Sequence, residues 1–441
     1  MDKEERESAD YGKAVEYLFS IPRFIVKNTP PVTQAFYRFL GSPGEDVMIF
    51  HVAGTNGKGS VCSYIASMAE WGGYRTGMFT SPHLLTPRER FRIGGELISE
   101  KEFTEVFEEV KGKLAQFKES GNHPSYHPSF FEYLFFMAVL WFEKKEAEII
   151  VLETGLGGRL DATNVIEHPA VCVITSVGMD HQEHLGSSLA EIAGEKAGII
   201  KAGRPVVYSN IRQEVSAIVE EKAREKGCFC RGVGRVNREE LCFADKHIDF
   251  SLLTRYYGTI RCCLHTVAHY QPDNAALAVA AIEESGLRLT ADRIREGLGR
   301  CRWEARMEEI LPGVFLDGAH NEDGIEALLE TARRDGSSRR ILLFSVVADK
   351  DYRGMKERLV SSDVFHEIYA VPLKNARGLR RQQLRELFGD SISYVFPDSR
   401  EAFGAILAGK GETDCVYIAG SLYLAGEIKA LLNQRESFSE Q

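Results

Sequence analysis

Short apolar runs alternate with amphipathic segments along most of this chain. The clearest amphipathic segment runs from Ser99 to Phe117, where apolar residues recur on one helical face and Ser99 with Glu102 forms a capping box at its start. Continuous apolar runs predict buried strands at 47–52, 148–153 and 170–175. This alternation predicts βαβ units around a largely parallel sheet, and therefore an α/β fold.

A second series of strands and helices follows a region of short strands and turns between Cys228 and His269. The strands predicted in this series are 314–316, 341–344, 368–371 and 416–419. A chain of 441 residues exceeds the usual size of one hydrophobic core. We therefore expect two domains, 1–300 and 301–441, with the boundary near Gly299 to Trp303.

Composition and charge narrow the class of partner. The net charge of −10 argues against a nucleic acid or an anionic membrane, and leaves small anionic ligands open. The nine cysteines form no Cys-x-x-Cys pair and suggest reduced thiols. The N-terminus lacks the apolar stretch of a secretory signal, and the longest apolar run, 133–142, predicts a buried helix because it is too short to span a bilayer. We expect a cytoplasmic protein.

A glycine-rich turn carries the strongest chemical signal. It comprises Gly54, Thr55, Asn56, Gly57, Lys58, Gly59 and Ser60, between a predicted strand and a predicted helix. Backbone N–H groups and the helix dipole there would face phosphates while Lys58 neutralises their charge. Val52 and Gly59 depart from the common P-loop pattern, so the hydroxyl that binds Mg²⁺ must come from elsewhere, and Ser81 at the next strand end is a candidate. A turn that binds nothing is the alternative.

Other polar residues follow predicted strands, where α/β sheets hold their ligands. Glu153 ends a buried strand and is placed like the acid that holds Mg²⁺ against phosphates. His181 and His184 follow the next strand; one of them is a candidate ligand of a second metal, and a structural histidine is the alternative. In the second series, Asp317 and Ser421 occupy similar strand ends.

These motifs resemble those of folylpolyglutamate synthase and the bifunctional dihydrofolate synthase, within the Mur-type amide ligases. The P-loop form, with the same two departures, and the segment Gly155 to Asn164 are the most specific parts of the resemblance. Further matching segments lie at 21–24, 80–84, 180–181, 195–199, 317–321, 349–351 and 420–426, together with Gln271 and 274–276. The resemblance therefore covers most of the chain.

The resemblance implies an N-terminal Mur-ligase-type P-loop ATPase domain with a largely parallel sheet and a smaller C-terminal Rossmann-like α/β domain. The active site is expected between them. ATP would phosphorylate a carboxylate, and the amino group of glutamate would attack the acyl phosphate to release ADP and phosphate. The implied ligands are ATP, L-glutamate, a folate or dihydropteroate, and two Mg²⁺ ions, and we expect a monomer.

Site residues are carried over by position from the resemblance. Residues 54–60 would bind the phosphates of ATP. The other implied nucleotide contacts are Asn274, Arg306, Asp317 and His320. The implied metal ligands are Ser81 and Glu153 for one Mg²⁺, and His181 with a carbamylated Lys196 for the second. Asp161 and Ala162 fall at the pterin position, and Ser421 falls near the glutamate position.

One departure concerns the linker between the domains. The family usually has Pro-Gly-Arg where this chain has Glu304, Ala305 and Arg306, so we expect less backbone freedom before the arginine.

Three rival functions remain: a P-loop GTPase or kinase, which lacks its guanine-recognition motif here; a Mur-type ligase for a cell-wall precursor, disfavoured by Asp161; and a non-catalytic regulator, which predicts loss of Lys58, Glu153 or Lys196.

Overall fold

The computed structural model describes residues 3–21, 28–121, 123–235, 238–243 and 246–439. Residues 22–24 of the matching segment at 21–24 therefore lie outside the described part of the chain.

A largely parallel sheet forms the centre of the N-terminal part. Its strands within the described residues are β1 (Met48–Ala53), β2 (Thr76–Phe79), β3 (Phe91–Ile93), β4 (Glu96–Leu97), β5 (Ile149–Glu153), β6 (Val171–Ile174), β7 (Val206–Ser209) and β8 (Cys230–Val233). The spatial order is β4-β3-β2-β5-β1-β6-β7-β8. The β2–β3 and β3–β4 pairings are antiparallel, and the other described pairings of this sheet are parallel. The carboxyl ends of β2, β5, β1 and β6 thus meet at one edge, where the predicted site lies.

Helices cover both faces of this sheet. Their bounds are α1 (Lys3–Ser20), α2 (Pro30–Phe39), α3 (Lys58–Trp71), α4 (Glu100–Glu119), α5 (Phe130–Lys144), α6 (Gln182–Leu185), α7 (Leu189–Ala197), α8 (Gln213–Glu225), α9 (Gln271–Ser285) and α10 (Ala291–Arg300). The capping box predicted at Ser99 starts α4. The apolar run 133–142 lies in α5 and is wholly buried, as predicted. None of the described helices is long and apolar enough to cross a membrane.

A separate three-stranded antiparallel sheet occupies the region predicted to contain short strands and turns. It comprises β9 (Arg238–Phe243), β10 (Ile248–Leu253) and β11 (Thr259–Leu264), in the order β11-β10-β9. Phe250, Leu252 and Ile260 point into one core with α3, α9 and α10. The alternate residues of these strands face away from that core, because side chains alternate between the two faces of a strand.

A second, mostly parallel sheet forms the C-terminal part. Its described strands are β12 (Glu308–Leu311), β13 (Val314–Leu316), β14 (Arg339–Phe344), β15 (Glu367–Ala370), β16 (Tyr394–Val395) and β17 (Asp414–Ala419), in the order β12-β13-β17-β14-β15-β16. The helices around it are α11 (Glu322–Ala332), α12 (Tyr352–Ser361), α13 (Arg381–Phe388), α14 (Ser399–Gly409) and α15 (Leu422–Ser439). The predicted α/β class and all four strands predicted in this part are confirmed.

Candidate active site

The glycine turn connects β1 to α3 and is tightly enclosed. A Cβ atom at Gly54 would lie 1.8 Å from the Thr175 hydroxyl oxygen, and one at Gly57 would lie 2.5 Å from Oδ1 of Asn274. Gly57 also has a φ of +87°, which side chains other than glycine disfavour. Lys58 folds back over the turn, and its Nζ donates to the carbonyls of Gly54 and Thr55 at 3.2 Å. Glycine is therefore required by sterics at two positions of this turn.

Glu153 lies beside this lysine at the end of β5. Its Oε1 is 3.9 Å from Nζ of Lys58, and its Oε2 accepts a hydrogen bond from the backbone N–H of Ser81 at 2.9 Å. Burial raises the pKa of Glu153, while the charge of Lys58 opposes that change. The structure thus brings together Lys58, Glu153 and Ser81 from the ends of three adjacent strands.

Asp180 and His181, which follow β6, meet Lys350 from the C-terminal part. Nζ of Lys350 donates to Oδ1 of Asp180 and, at 3.2 Å, to Nε2 of His181. Burial alone would raise the pKa of Asp180, but Lys350 and the nearby histidines lower it. Burial lowers the pKa of His181 to about 4. His181 is therefore a neutral imidazole whose Nε2 accepts from a lysine in this arrangement. His184 lies on α6 and lines the same large cavity as His181.

The loop after β13 reaches the P-loop directly. Asn321 and Asn56 exchange two side-chain hydrogen bonds, of 3.0 and 3.2 Å, and Asn321 also donates to Asp180 at 3.1 Å. Nδ1 of His320 lies 2.7 Å from the carbonyl of Gly318 and so carries the proton of that hydrogen bond. Burial, with the charge of Lys350, lowers the pKa of His320 to about 4. These contacts couple the two sheets across the cleft.

The remaining predicted nucleotide residues line the same cleft. Asn274 donates to Gln271 at 3.0 Å, and Gln271 donates to the hydroxyl of Ser60 in the P-loop at 3.2 Å. Asp317 accepts from the Tyr270 hydroxyl at 2.8 Å and from backbone N–H groups at Met307 and Ala319. Burial raises the pKa of Asp317, and Arg306 opposes this.

The linker between the two parts of the chain has an unusual backbone conformation at Ala305. Ala305 has a φ of +51°, in the left-handed region that favours glycine. Its carbonyl accepts from Nη1 of Arg306 at 2.7 Å and from the N–H of Gly318 at 2.8 Å. The backbone thus keeps a glycine-type conformation without glycine, and Arg306 still reaches the cavity.

Asp161 organises the loop that follows β5. Its Oδ2 accepts from the N–H groups of Gly155 and Leu156, and its Oδ1 accepts from the N–H and hydroxyl of Thr163, at 2.6–3.0 Å. Burial raises the pKa of Asp161, and these hydrogen bonds oppose the change. A carboxylate offers about four acceptor positions, and all four are used. Ala162 begins the 3₁₀ turn that Asp161 caps. Their predicted pterin contact remains a prediction, since a pterin would have to displace one of these bonds.

Lys196 lies in the last turn of α7 and is buried, with 3% of its surface exposed. Its Nζ donates to the carbonyl of Gly54 at 2.8 Å. Burial, reinforced by the charge of Lys58, lowers the pKa of Lys196 to about 7. Its environment is therefore that of a site residue and differs from that of a solvated lysine on a helix surface.

One cavity of about 1490 Å³ joins these groups. All predicted site residues described above contribute to its lining, together with Ser421, which precedes α15. Ser421 Oγ accepts from the N–H of Tyr423 at 3.1 Å, and the Tyr423 hydroxyl accepts from Nη1 of Arg377 at 3.1 Å.

Sequence reasoning did not assign Asn321, Lys350 or Arg377 a role. Asn321 and Lys350 lie inside motifs that carried the resemblance, which was the available signal for them. Arg377 lies in no such motif, and its place in the cavity follows from the tertiary fold.

Comparisons with known proteins identify the family of the chain. Residues 301–422 match the family model for the Mur ligase glutamate ligase domain. The chain is 36% identical over 405 residues to the dihydrofolate synthase/folylpolyglutamate synthase of Bacillus subtilis, covering 89% of this chain and 92% of the relative. The Escherichia coli relative of the same name is 32% identical over 397 residues, 88% of this chain and 87% of the relative.

Solved structures show the same fold. Escherichia coli FolC in complex with DHPP and ADP superposes with a TM-score of 0.85 at 28% identity, covering 97% of this chain and 98% of that one. The Mycobacterium tuberculosis folylpolyglutamate synthase complexed with ADP and AMPPCP gives a TM-score of 0.87 at 28% identity, covering 96% and 98% of the two chains. Sequence and fold lead to one conclusion: the chain belongs to the dihydrofolate synthase/folylpolyglutamate synthase family of ATP-dependent ligases.

Proposed function

We propose that this chain joins the amino group of L-glutamate to the carboxylate of a reduced folate, and also to that of dihydropteroate, at the expense of ATP. The observation that carries the proposal is that the P-loop, the loop of Asp161 and the start of α15 border the same cavity. Three chemically different substrates have to meet for this reaction, and the cavity offers a separate wall to each.

The phosphates of ATP are assigned to the P-loop. The N–H groups at the start of α3 and the charge of Lys58 face them, and Lys58 exchanges its two carbonyl contacts for phosphate oxygens. Asn274, Arg306, Asp317 and His320 surround the rest of the nucleotide. Asp317 and His320 come from the C-terminal part, so nucleotide binding also holds the two parts together.

The residues present fit one Mg²⁺ ion beside the P-loop. Oε2 of Glu153 accepts one N–H, while its Oε1 is 3.9 Å from Lys58, beyond hydrogen-bonding distance, and so is open to a cation. Ser81 supplies a hydroxyl at the same strand edge, and Mg²⁺ prefers such oxygen ligands. When bound there, Mg²⁺ neutralises charge on the transferring phosphoryl group.

A second Mg²⁺ site at His181 requires a rearrangement. Nε2 of His181 accepts from Lys350, whose ammonium already supplies a positive charge there. We also propose a carbamate on Lys196, because burial lowers the pKa of this lysine to about 7 and so leaves a substantial fraction of neutral amine at neutral pH. The amine nitrogen would form a bond to the carbon of CO₂ and lose a proton to solvent, and the anion would pair with the neighbouring cations.

Catalysis then consists mainly of positioning and exclusion of water. The folate carboxylate attacks the terminal phosphorus of ATP, ADP leaves, and the glutamate amine displaces phosphate from the acyl phosphate. Ser421 and Arg377 are assigned to glutamate, because a hydroxyl and a guanidinium at one wall suit its carboxylates. The contacts of Asn321 and Lys350 keep the cleft closed, which protects the acyl phosphate from hydrolysis.

The test is ADP release measured with each substrate left out in turn. We expect release to require glutamate together with either dihydropteroate or tetrahydrofolate, with a mass gain of one glutamyl residue in the product. Activity with tetrahydrofolate alone would remove the dihydropteroate half of the proposal. Activity with neither pteridine substrate would reject the whole proposal. Labelled bicarbonate that leaves no carbamate signal on Lys196 would remove that modification.

A further inference from the structure

A cluster of metal-ligating side chains lies on the outer face of the three-stranded sheet, away from the residues that line the cavity. It consists of His247, Asp249 and Cys263, and one ligand atom of each lies within 4.8 Å of the other two. Nε2 of His247 is 3.2 Å from Oδ2 of Asp249. None of the three lines the large cavity, so the cluster plays no part in the proposed ligase site.

Strand pairing places these side chains together. Asp249 of β10 lies directly opposite Cys263 of β11 in the antiparallel ladder. His247 precedes Asp249 by two residues and so lies on the same face. The neighbouring residues Ile248 and Phe250 point the other way, into the core. Asp249 and Cys263 are therefore held by paired strands of a packed sheet, and His247 directly precedes β10.

We propose that His247, Asp249 and Cys263 form a binding site for a divalent transition metal of the zinc class. Imidazole nitrogen, carboxylate oxygen and thiolate sulfur are the three ligand types that Zn²⁺ takes in proteins, at about 2.0–2.3 Å each. At those bond lengths tetrahedral geometry separates ligand atoms by about 3.3–3.7 Å. The observed separations of up to 4.8 Å require only a small contraction.

The surroundings are compatible with this assignment. Burial and the carboxylate of Asp249 raise the pKa of the Cys263 thiol to about 11, with Arg302 opposing them. The carboxylate of Asp249 favours the neutral thiol, whereas a cation bound between the two groups favours the thiolate. The thiol proton would pass to solvent when the metal binds. His247 and Asp249 are partly exposed, with side-chain exposures of 39% and 52%, so the ion can enter and water can fill the fourth position.

A bound metal ion would cross-link β10 to β11. A ligand that binds the folded chain and not the unfolded chain raises the unfolding temperature, and the gain in stability grows with the logarithm of the ratio of ligand concentration to Kd. The inference does not rest on the proposed ligase function, and either can fail without the other.

Cobalt titration of the full-length chain, with Mg²⁺ and ADP present to fill the active site, tests the proposal. We expect a thiolate-to-cobalt absorption band that Zn²⁺ abolishes by competition. The band should disappear in Cys263→Ser and require at least tenfold more metal in His247→Ala and in Asp249→Asn. Cys415→Ser, which removes a partly buried thiol in the other sheet, is the matched control and should behave as the unchanged chain does.

Thermal unfolding provides a second readout that also reveals folding defects. Without metal, Cys263→Ser should unfold at the temperature of the unchanged chain. With Zn²⁺, the unchanged chain and Cys415→Ser should gain stability, and Cys263→Ser should gain none. A band that persists in Cys263→Ser, or equal affinities in His247→Ala, Asp249→Asn and the unchanged chain, would overturn the proposal.

Discussion

Three lysines, Lys58, Lys196 and Lys350, converge on the P-loop from separate parts of the chain. Lys58 and Lys196 both donate to the carbonyl of Gly54, and Lys350 donates to Asp180. Burial lowers the pKa of Lys196, and the like charges of Lys58 and Lys350 lower it further, because like charges at close range in a buried site repel one another. An anion with several charges, such as a triphosphate, relieves this repulsion, so the local electrostatics favour nucleotide binding.

We expect Lys58→Met to lower kcat/KM by about 100-fold or more, the range typical of losing one charge-stabilising donor. The melting temperature should change far less than activity, because the contacts of Lys58 are two backbone carbonyls of its own turn at 3.2 Å and the carboxylate of Glu153 at 3.9 Å, and none of these is hydrophobic packing. Lys101→Met, on the exposed face of α4, is the control and should leave both quantities unchanged. Near-normal turnover in Lys58→Met would contradict the assignment of the P-loop.

Lys196 should make stability depend on pH. Its pKa is lowered from 10.5 to about 7 in the folded chain, mainly by burial. Between these values the unfolded chain binds one more proton than the folded chain, so the free energy of unfolding rises with pH by up to about 1.4 kcal/mol per unit. Below the folded pKa the lysine is protonated in both states, and the full penalty for burying its charge remains.

Urea unfolding between pH 7 and 10, in metal-free buffer stripped of bicarbonate, measures this contribution. The curve for Lys196→Met should rise less steeply with pH than that of the unchanged chain. Parallel curves would show that Lys196 does not release its proton in this range.

At the scale of single elements, the loop after β5 depends on one carboxylate. Asp161→Asn exchanges an acceptor for an amide whose NH₂ group faces backbone N–H donors. We expect a loss of about 2 kcal/mol in the free energy of unfolding, because hydrogen bonds to charged groups are among the stronger ones. Urea midpoints of this variant and of Asp398→Asn, which caps the exposed start of α14, provide the comparison.

Activity separates two roles for Asp161. If the residue organises the loop, KM should rise together for dihydropteroate and tetrahydrofolate. An unchanged unfolding free energy with a large rise in KM would instead support direct contact between Asp161 and the pterin.

At the scale of the whole molecule, the cleft is closed by polar contacts between its two walls. Asn321→Ala removes the reciprocal bonds to Asn56 and the bond to Asp180. We expect a more open cleft, a lower rate of ligation and more ADP released per glutamate joined, because water gains access to the acyl phosphate. The ratio of ADP to ligated product measures this effect. Asp398→Ala, which lies outside the cavity lining, should keep the ratio at that of the unchanged chain.

The sequence predicted individual helices and strands better than it predicted contacts between distant residues. Amphipathic spacing and capping boxes are local, so α4 and the buried helix α5 were predictable, as were the strands that precede the P-loop and Glu153. Contacts across the cleft were less accessible. Lys350 and Asp180 are 170 positions apart, and only folding determines which charged residue of the C-terminal part meets which of the N-terminal part.

The sequence by itself determined the α/β class, the glycine-rich turn between β1 and α3, and the family, because these rest on periodicity and on short local motifs. Tertiary structure alone decided that Lys350 donates to His181 and that Asp161 accepts hydrogen bonds from its own loop. It also decided that His247, Asp249 and Cys263 lie together. The physical reason is that burial, pKa and hydrogen-bond partners depend on neighbours brought together by the fold, and spacing along the chain does not encode those neighbours.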